Sequence, residues 1–118
     1  MPELPEVETI RRQLRSEIIN QTVVRAGSHE SQKFLPAREI KGRRFTELSR
    51  RGKYLIAECA DQTELIVHLG MTGQLLIDGG EQSSTILDQY QRAWWSLDNG
   101  KTVVFRDVRR FGRIAVVN

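Results

Sequence analysis

At 118 residues the chain has room for one hydrophobic core and not for two, so a single domain over residues 1–118 is expected. Its 39% hydrophobic and 28% charged content is ordinary for a soluble globular protein, and no apolar run is long enough for a membrane-spanning helix. With no secretory signal pattern, a reducing, cytoplasmic setting is expected, and no membrane partner. The net charge is only +3, yet six bases lie between Lys41 and Lys53 against Glu47 alone, and five lie between Lys101 and Asn118 against Asp107. Such bunching suits either a polyanion partner or solvated basic faces. Cys59 is the single cysteine, which excludes an internal disulfide and a four-cysteine zinc site and predicts a buried thiol.

In chain order, residues 5–20 read as an amphipathic helix. Val7, Ile10, Leu14 and Ile18 recur at three- and four-residue spacing, with Glu8, Arg11, Arg12 and Arg15 between them, and Asn20-Gln21 supplies a stop. β signals dominate afterwards. Strands are predicted over 22–26, 45–48, 54–59, 65–69, 74–77, 92–97, 102–106 and 112–117, with loops over 27–36 and 79–89. Asp98-Asn99-Gly100 marks a hairpin, because Asn-Gly tolerates positive φ at both turn positions. The expected fold is mainly β with one N-terminal α-helix, a two-layered antiparallel β-sandwich or flattened barrel with the helix at its edge. Trp94 and Trp95 should face opposite ways on their strand, one into the core and one half exposed.

Four stretches can carry chemistry. The first is Met1-Pro2-Glu3-Leu4-Pro5-Glu6. One reading is a helix start, with proline at the first position and acids complementing the dipole. The other begins with removal of Met1, which frees a secondary amine at Pro2. Condensed with an aldehyde-like carbon, that amine forms an iminium, an electron sink for bond breaking, with Glu3 and Glu6 three residues apart on one helical face beside it. The second is Arg50-Arg51-Gly52-Lys53-Tyr54, a tight basic turn that either offers cations to phosphates or is simply solvated. The third, His68-Leu69-Gly70-Met71-Thr72-Gly73, places glycines around a methionine that is either core or pushed outward at a sharp turn. The fourth, Asp107-Val108-Arg109-Arg110-Phe111-Gly112, sets an aromatic among arginines, suited to stacking between bases while guanidiniums read base edges or grip phosphate, or else to an ordinary core phenylalanine.

Together these stretches resemble the formamidopyrimidine-DNA glycosylases, the Fpg branch of the Fpg/Nei family of base-excision repair enzymes. MPELPEVETIRRQL is similar to the family's N-terminus, RRGKYL to its lysine turn, HLGMTG to its methionine turn and DVRRFG to its D-P-R-R-F-G loop. The resemblance implies a β-sandwich domain of a bifunctional glycosylase/AP lyase for oxidised purines such as formamidopyrimidines and 8-oxoguanine. Its partner would be double-stranded DNA containing oxidised bases or abasic sites. Pro2 is then the nucleophile, Glu3 and Glu6 are catalytic carboxylates, and Lys53 is a DNA contact and catalytic helper. A cation beside the Pro2 amine also disfavours its protonated form. Met71 fills the space of the extruded base, Arg109 faces the orphaned base, Phe111 wedges beside it, and Arg110 and His68 are phosphate contacts.

The resemblance calls for no cofactor in this domain and no metal site, and a monomer is expected. Full-length members continue into a helix–two-turn–helix domain and usually a zinc finger, which this chain lacks, so a fragment is expected. Two departures stand out. Val108 replaces a proline, which loosens the loop, and Gln91-Arg92-Ala93-Trp94 replaces a histidine-rich stretch, which puts a phosphate contact in question. Two alternatives remain: a Nei-type enzyme for oxidised pyrimidines, against which Leu4 argues, and a non-catalytic DNA-binding module.

Overall fold

A computed structural model describes residues 4–78 and 89–118. The helix α1 spans Leu4–Ile18, and the strands are β1 (Val23–Ser28), β2 (Phe45–Arg51), β3 (Tyr54–Cys59), β4 (Glu64–His68), β5 (Gly73–Asp78), β6 (Gln91–Leu97), β7 (Thr102–Asp107) and β8 (Arg113–Val117). They form two four-stranded antiparallel sheets, ordered β1-β6-β7-β5 and β2-β3-β4-β8. Two separate sheets make a sandwich, and the flattened-barrel alternative is set aside. Among the described residues no helix is long and apolar enough to cross a membrane.

The inner faces bury what the alternating patterns offered: Leu55, Ala57, Leu65, Val67 and Ile114 from one sheet, Leu75, Ala93, Trp95, Val103 and Phe105 from the other. Trp95 is buried and donates its indole N–H to the Ala37 carbonyl at 3.0 Å, while its neighbour Trp94 is half-buried. Val7, Leu14 and Ile18 carry α1 onto the core.

The expected loop over 27–36 is corrected at both ends. β1 runs on through Gly27 and Ser28, because Gly27 pairs with Trp94 and the indole occupies the space a side chain would need, 2.5 Å from a Cβ placed there. A 3-10 helix then covers Leu35–Ile40. Phe34, Ala37 and Ile40, three residues apart as that helix eclipses them, are fully buried. The two large ones, Phe34 and Ile40, each contribute about 1.5–3 kcal/mol. The Asp98–Gly100 turn is corrected too. Only Gly100 takes positive φ, at +89°, and Leu97 N–H bonds the Lys101 carbonyl, so the hairpin closes on a three-residue loop rather than two left-handed residues.

Ion pairs tie α1 to β2. Glu8 accepts from Arg11 (2.7 Å), Arg12 (3.0 Å) and, across the interface, Arg50 (3.0 Å), which together hold its carboxyl far below the usual range. Glu47 is paired with Arg15 and capped by the Leu48 N–H, and its carboxyl is pulled down from 4.5 to about 2. A depressed folded-state value means stability that is present above the ordinary carboxylate range and is lost as the pH falls toward 2. Glu47→Gln should therefore lower the melting temperature near neutral pH, with the gap to the parent closing between pH 4.5 and 2. An equal gap across a pH series of thermal melts would contradict this.

Candidate nucleic-acid interface

Strand register gathers the predicted site at one end of the sandwich. Arg51 pairs with Tyr54 across the Gly52-Lys53 turn, Tyr54 with His68, and His68 with Arg113. Gly73 pairs with Asp107. Two connections cross from sheet to sheet here: residues 69–72 from β4 to β5, and residues 108–112 from β7 to β8. Because β4 pairs with β8 and β5 with β7, the two crossings lie side by side.

In the first crossing Leu69 is buried and Gly73 N–H closes back on the Leu69 carbonyl at 2.8 Å, which leaves Met71 at the tip, 43% exposed. Gly70 adopts φ +66°, and a Cβ there would lie 2.5 Å from the Phe111 backbone, so the two crossings touch main chain to main chain. The core reading of Met71 is thereby excluded. In the second crossing Phe111 is 48% exposed, Val108, Arg109 and Arg110 are exposed, and the Arg109 guanidinium stacks 5.1 Å from the centre of the Phe111 ring. The core reading of Phe111 fails as well. Arg110 takes φ +60°, uncommon for a side-chain-bearing residue, and its carbonyl is held by Lys33 Nζ at 2.7 Å.

Beneath these tips lies a polar network. Asp107 is fully buried and accepts from the Thr72 hydroxyl at 2.6 Å and from the Gly112 N–H at 2.7 Å. The Thr72 oxygen in turn accepts from the Arg109 N–H at 3.0 Å. Buried Arg92 donates to the carbonyls of Asp107 (2.7 Å), Val108 (3.2 Å) and Gln89 (3.2 Å) and lies 3.2 Å from His29 Nδ1. Burial, then the charges of Arg92 and Arg110, lower the His29 pKa. Arg92 thus faces inward as a clamp, and it restrains the loop that Val108 was expected to loosen.

Sequence reasoning missed the roles of Thr72, Arg92 and Asp107. The available signals were the acid closing β7 within the hexapeptide and the arginine standing in the departed histidine stretch.

His68 Nδ1 accepts from the Gly70 N–H at 3.1 Å, so the ring's other nitrogen is the one left to donate, and Tyr54 packs against it at 4.7 Å. Tyr54, Ile66, His68, Phe111, Arg113 and Ala115 line an open groove on the outer face of the second sheet. Lys53 is half-buried at the β2–β3 turn, and Glu6 is exposed in the first turn of α1. The Glu8–Arg50 bond brings that end of α1 to the Lys53 turn. Pro2 and Glu3, the expected nucleophile and its neighbouring catalytic carboxylate, lie outside the described residues. Cys59 is buried and free, its thiol pushed up to about 11 by burial.

Not every base of the two clusters is free to meet a partner. Arg43 pairs with Asp61, Arg50 with Glu8 and Lys101 with Glu17, so part of each cluster is spent within the fold. Two exposed apolar tips flanked by exposed arginines remain, an arrangement able to enter a base stack while cations hold phosphate.

Residues 1–114 match the family model described as the formamidopyrimidine-DNA glycosylase N-terminal domain. The formamidopyrimidine-DNA glycosylase of Dinoroseobacter shibae is 39% identical over 123 residues, covering 95% of this chain and 43% of that protein. That of Thermus thermophilus is 37% identical over 114 residues, covering 97% and 39%. Among solved structures, the Lactococcus lactis Fpg in complex with a FAPY-dG containing DNA superposes with a TM-score of 0.85 at 30% identity, over 98% of this chain and 44% of that one. The same enzyme with an abasic site containing DNA also gives 0.85. The chain therefore spans under half the length of these relatives.

Proposed function

The chain belongs to the formamidopyrimidine-DNA glycosylase family, and on that premise we propose that it is the N-terminal catalytic domain of a bifunctional DNA glycosylase/AP lyase that excises oxidised purines in base-excision repair. The observation that carries this reading is the pair of exposed tips, Met71 and Phe111, presented side by side at the same end as the Lys53 turn and the start of α1.

The target nucleotide is turned out of the duplex, as chemistry on a base requires. Met71 occupies the vacated space, while Arg109 and Phe111 engage the orphaned base and its neighbour. Arg110, His68 and Lys53 hold phosphates. Pro2, freed of Met1, attacks C1′ of the extruded sugar through its secondary amine. The damaged base departs with its bonding pair and takes a proton, and Glu3 passes a proton to the opening ring oxygen while Glu6 orients the site. The resulting iminium draws electrons from the sugar, and successive eliminations break the strand. No step requires a cofactor.

The test is borohydride trapping on duplex DNA bearing an abasic site, read by intact mass. A chain beginning at Pro2 should give a covalent adduct at the mass of protein plus DNA, and a chain retaining Met1 should give none. Pro2-initiated protein that binds the duplex without forming an adduct would show that this span does not carry the lyase step by itself and acts alone as a DNA-binding module.

A further inference from the structure

Resting on the DNA reading above, we propose that Thr72 and Asp107 form a latch that makes Met71 and Phe111 enter DNA as one unit. The two tips belong to different crossings, separated by 40 residues; strand pairing and the Gly70–Phe111 contact set those crossings side by side, but neither tip residue is itself part of a strand pair. The hydrogen bonds supply the coupling. Thr72, adjacent to Met71, gives its single hydroxyl proton to one carboxylate oxygen of Asp107 and receives the Arg109 N–H on its own oxygen. The other Asp107 oxygen receives the Gly112 N–H, just past Phe111. One hydroxyl and one carboxylate thus clasp the methionine turn to both ends of the 109–112 segment. The Thr72–Asp107 bond is short and charge-assisted, and Asp107 is fully buried, where such bonds are strong. An extruded nucleotide leaves a gap touching both strands, so filling it with two tips at once is worth more than filling either side alone. Thr72 and Asp107 are positioning residues for that act.

The test is a double-mutant cycle on binding of the chain to a duplex carrying a tetrahydrofuran abasic-site analogue, with intact duplex as the reference. Met71→Ala, Phe111→Ala and the double variant are measured with Thr72, Thr72→Val and Thr72→Ser. With Thr72 in place the two losses should fall short of multiplying by about tenfold, the sign of coupled tips. In Thr72→Val they should multiply, and Thr72→Ser should restore the coupling. Losses that multiply with Thr72 present, or coupling unchanged in Thr72→Val, would overturn the latch while leaving the DNA reading intact. No preference for the abasic duplex would overturn the DNA reading and the latch's purpose with it. Arg109 amide protection in the DNA-free chain tests the latch separately. It should fall in Thr72→Val and persist in Thr72→Ser, and protection unchanged in Thr72→Val overturns the proposal.

Discussion

Replacing Asp107 by alanine is expected to lower the free energy of unfolding by about 2–5 kcal/mol, most of it from buried groups left without partners. The carboxylate satisfies the Thr72 hydroxyl and the Gly112 N–H, while Arg92 grips the backbone carbonyl of the same residue. Removing it orphans two donors at once, the Thr72 hydroxyl and the Gly112 N–H. Thermal melts should show a drop of roughly 10 °C or more. Asp107→Asn keeps the volume but offers one acceptor oxygen where two are needed, and should fall between parent and alanine variant. An alanine variant melting within about 2 °C of the parent would mean that water replaces both bonds and that the carboxylate is not what holds the loop.

Gly73→Ala should cost about 2–4 kcal/mol, and for a different reason, since it adds atoms rather than removing bonds. Its Cβ would sit 2.2 Å from the Leu69 carbonyl oxygen and 2.9 Å from the carbonyl carbon. Those are backbone atoms of a turn that Gly73 itself closes, so no side chain can swing aside. Relief requires opening the turn, which pulls on buried Leu69 or on the Gly73–Asp107 pair, and Met71 loses its fixed presentation either way. Urea denaturation should show the loss, whereas Met71→Ala, at a half-exposed tip, should change stability by no more than about 0.5 kcal/mol. Equal costs at the two positions would show that the turn tolerates the methyl group and that its shape is not set by Gly73.

The fold was largely legible from local patterns. Apolar spacing at Val7, Leu14 and Ile18 marked α1, and alternation marked the strands, because burial on one face imposes a period that single residues cannot hide. Apart from the local geometry of the Asp98–Gly100 turn, the misses share one cause. Gly27 and the end of the 27–36 loop, from Phe34 on, read as loop, and residues 37–40 carried no signal, since their burial depends on distant partners, the Trp94 indole for the first and the space between sheets for the rest. The basic clusters misled in the same way: composition counts Arg50 and Lys101 as available cations, but Glu8 and Glu17 hold them from elements far off in sequence.

The sequence by itself determined the layered β architecture, the leading helix and the family, and it singled out Met71, Arg109 and Phe111 through the short motifs that surround them. Only the tertiary structure decided that Met71 and Phe111 face outward together, that Arg92 turns inward as a clamp, and that Thr72 and Asp107 join two crossings. The physical reason is range. Periodicity and turn chemistry act over a few residues and are written in local order, whereas a hydrogen bond between residues 72 and 107 exists only once two sheets have brought their ends together.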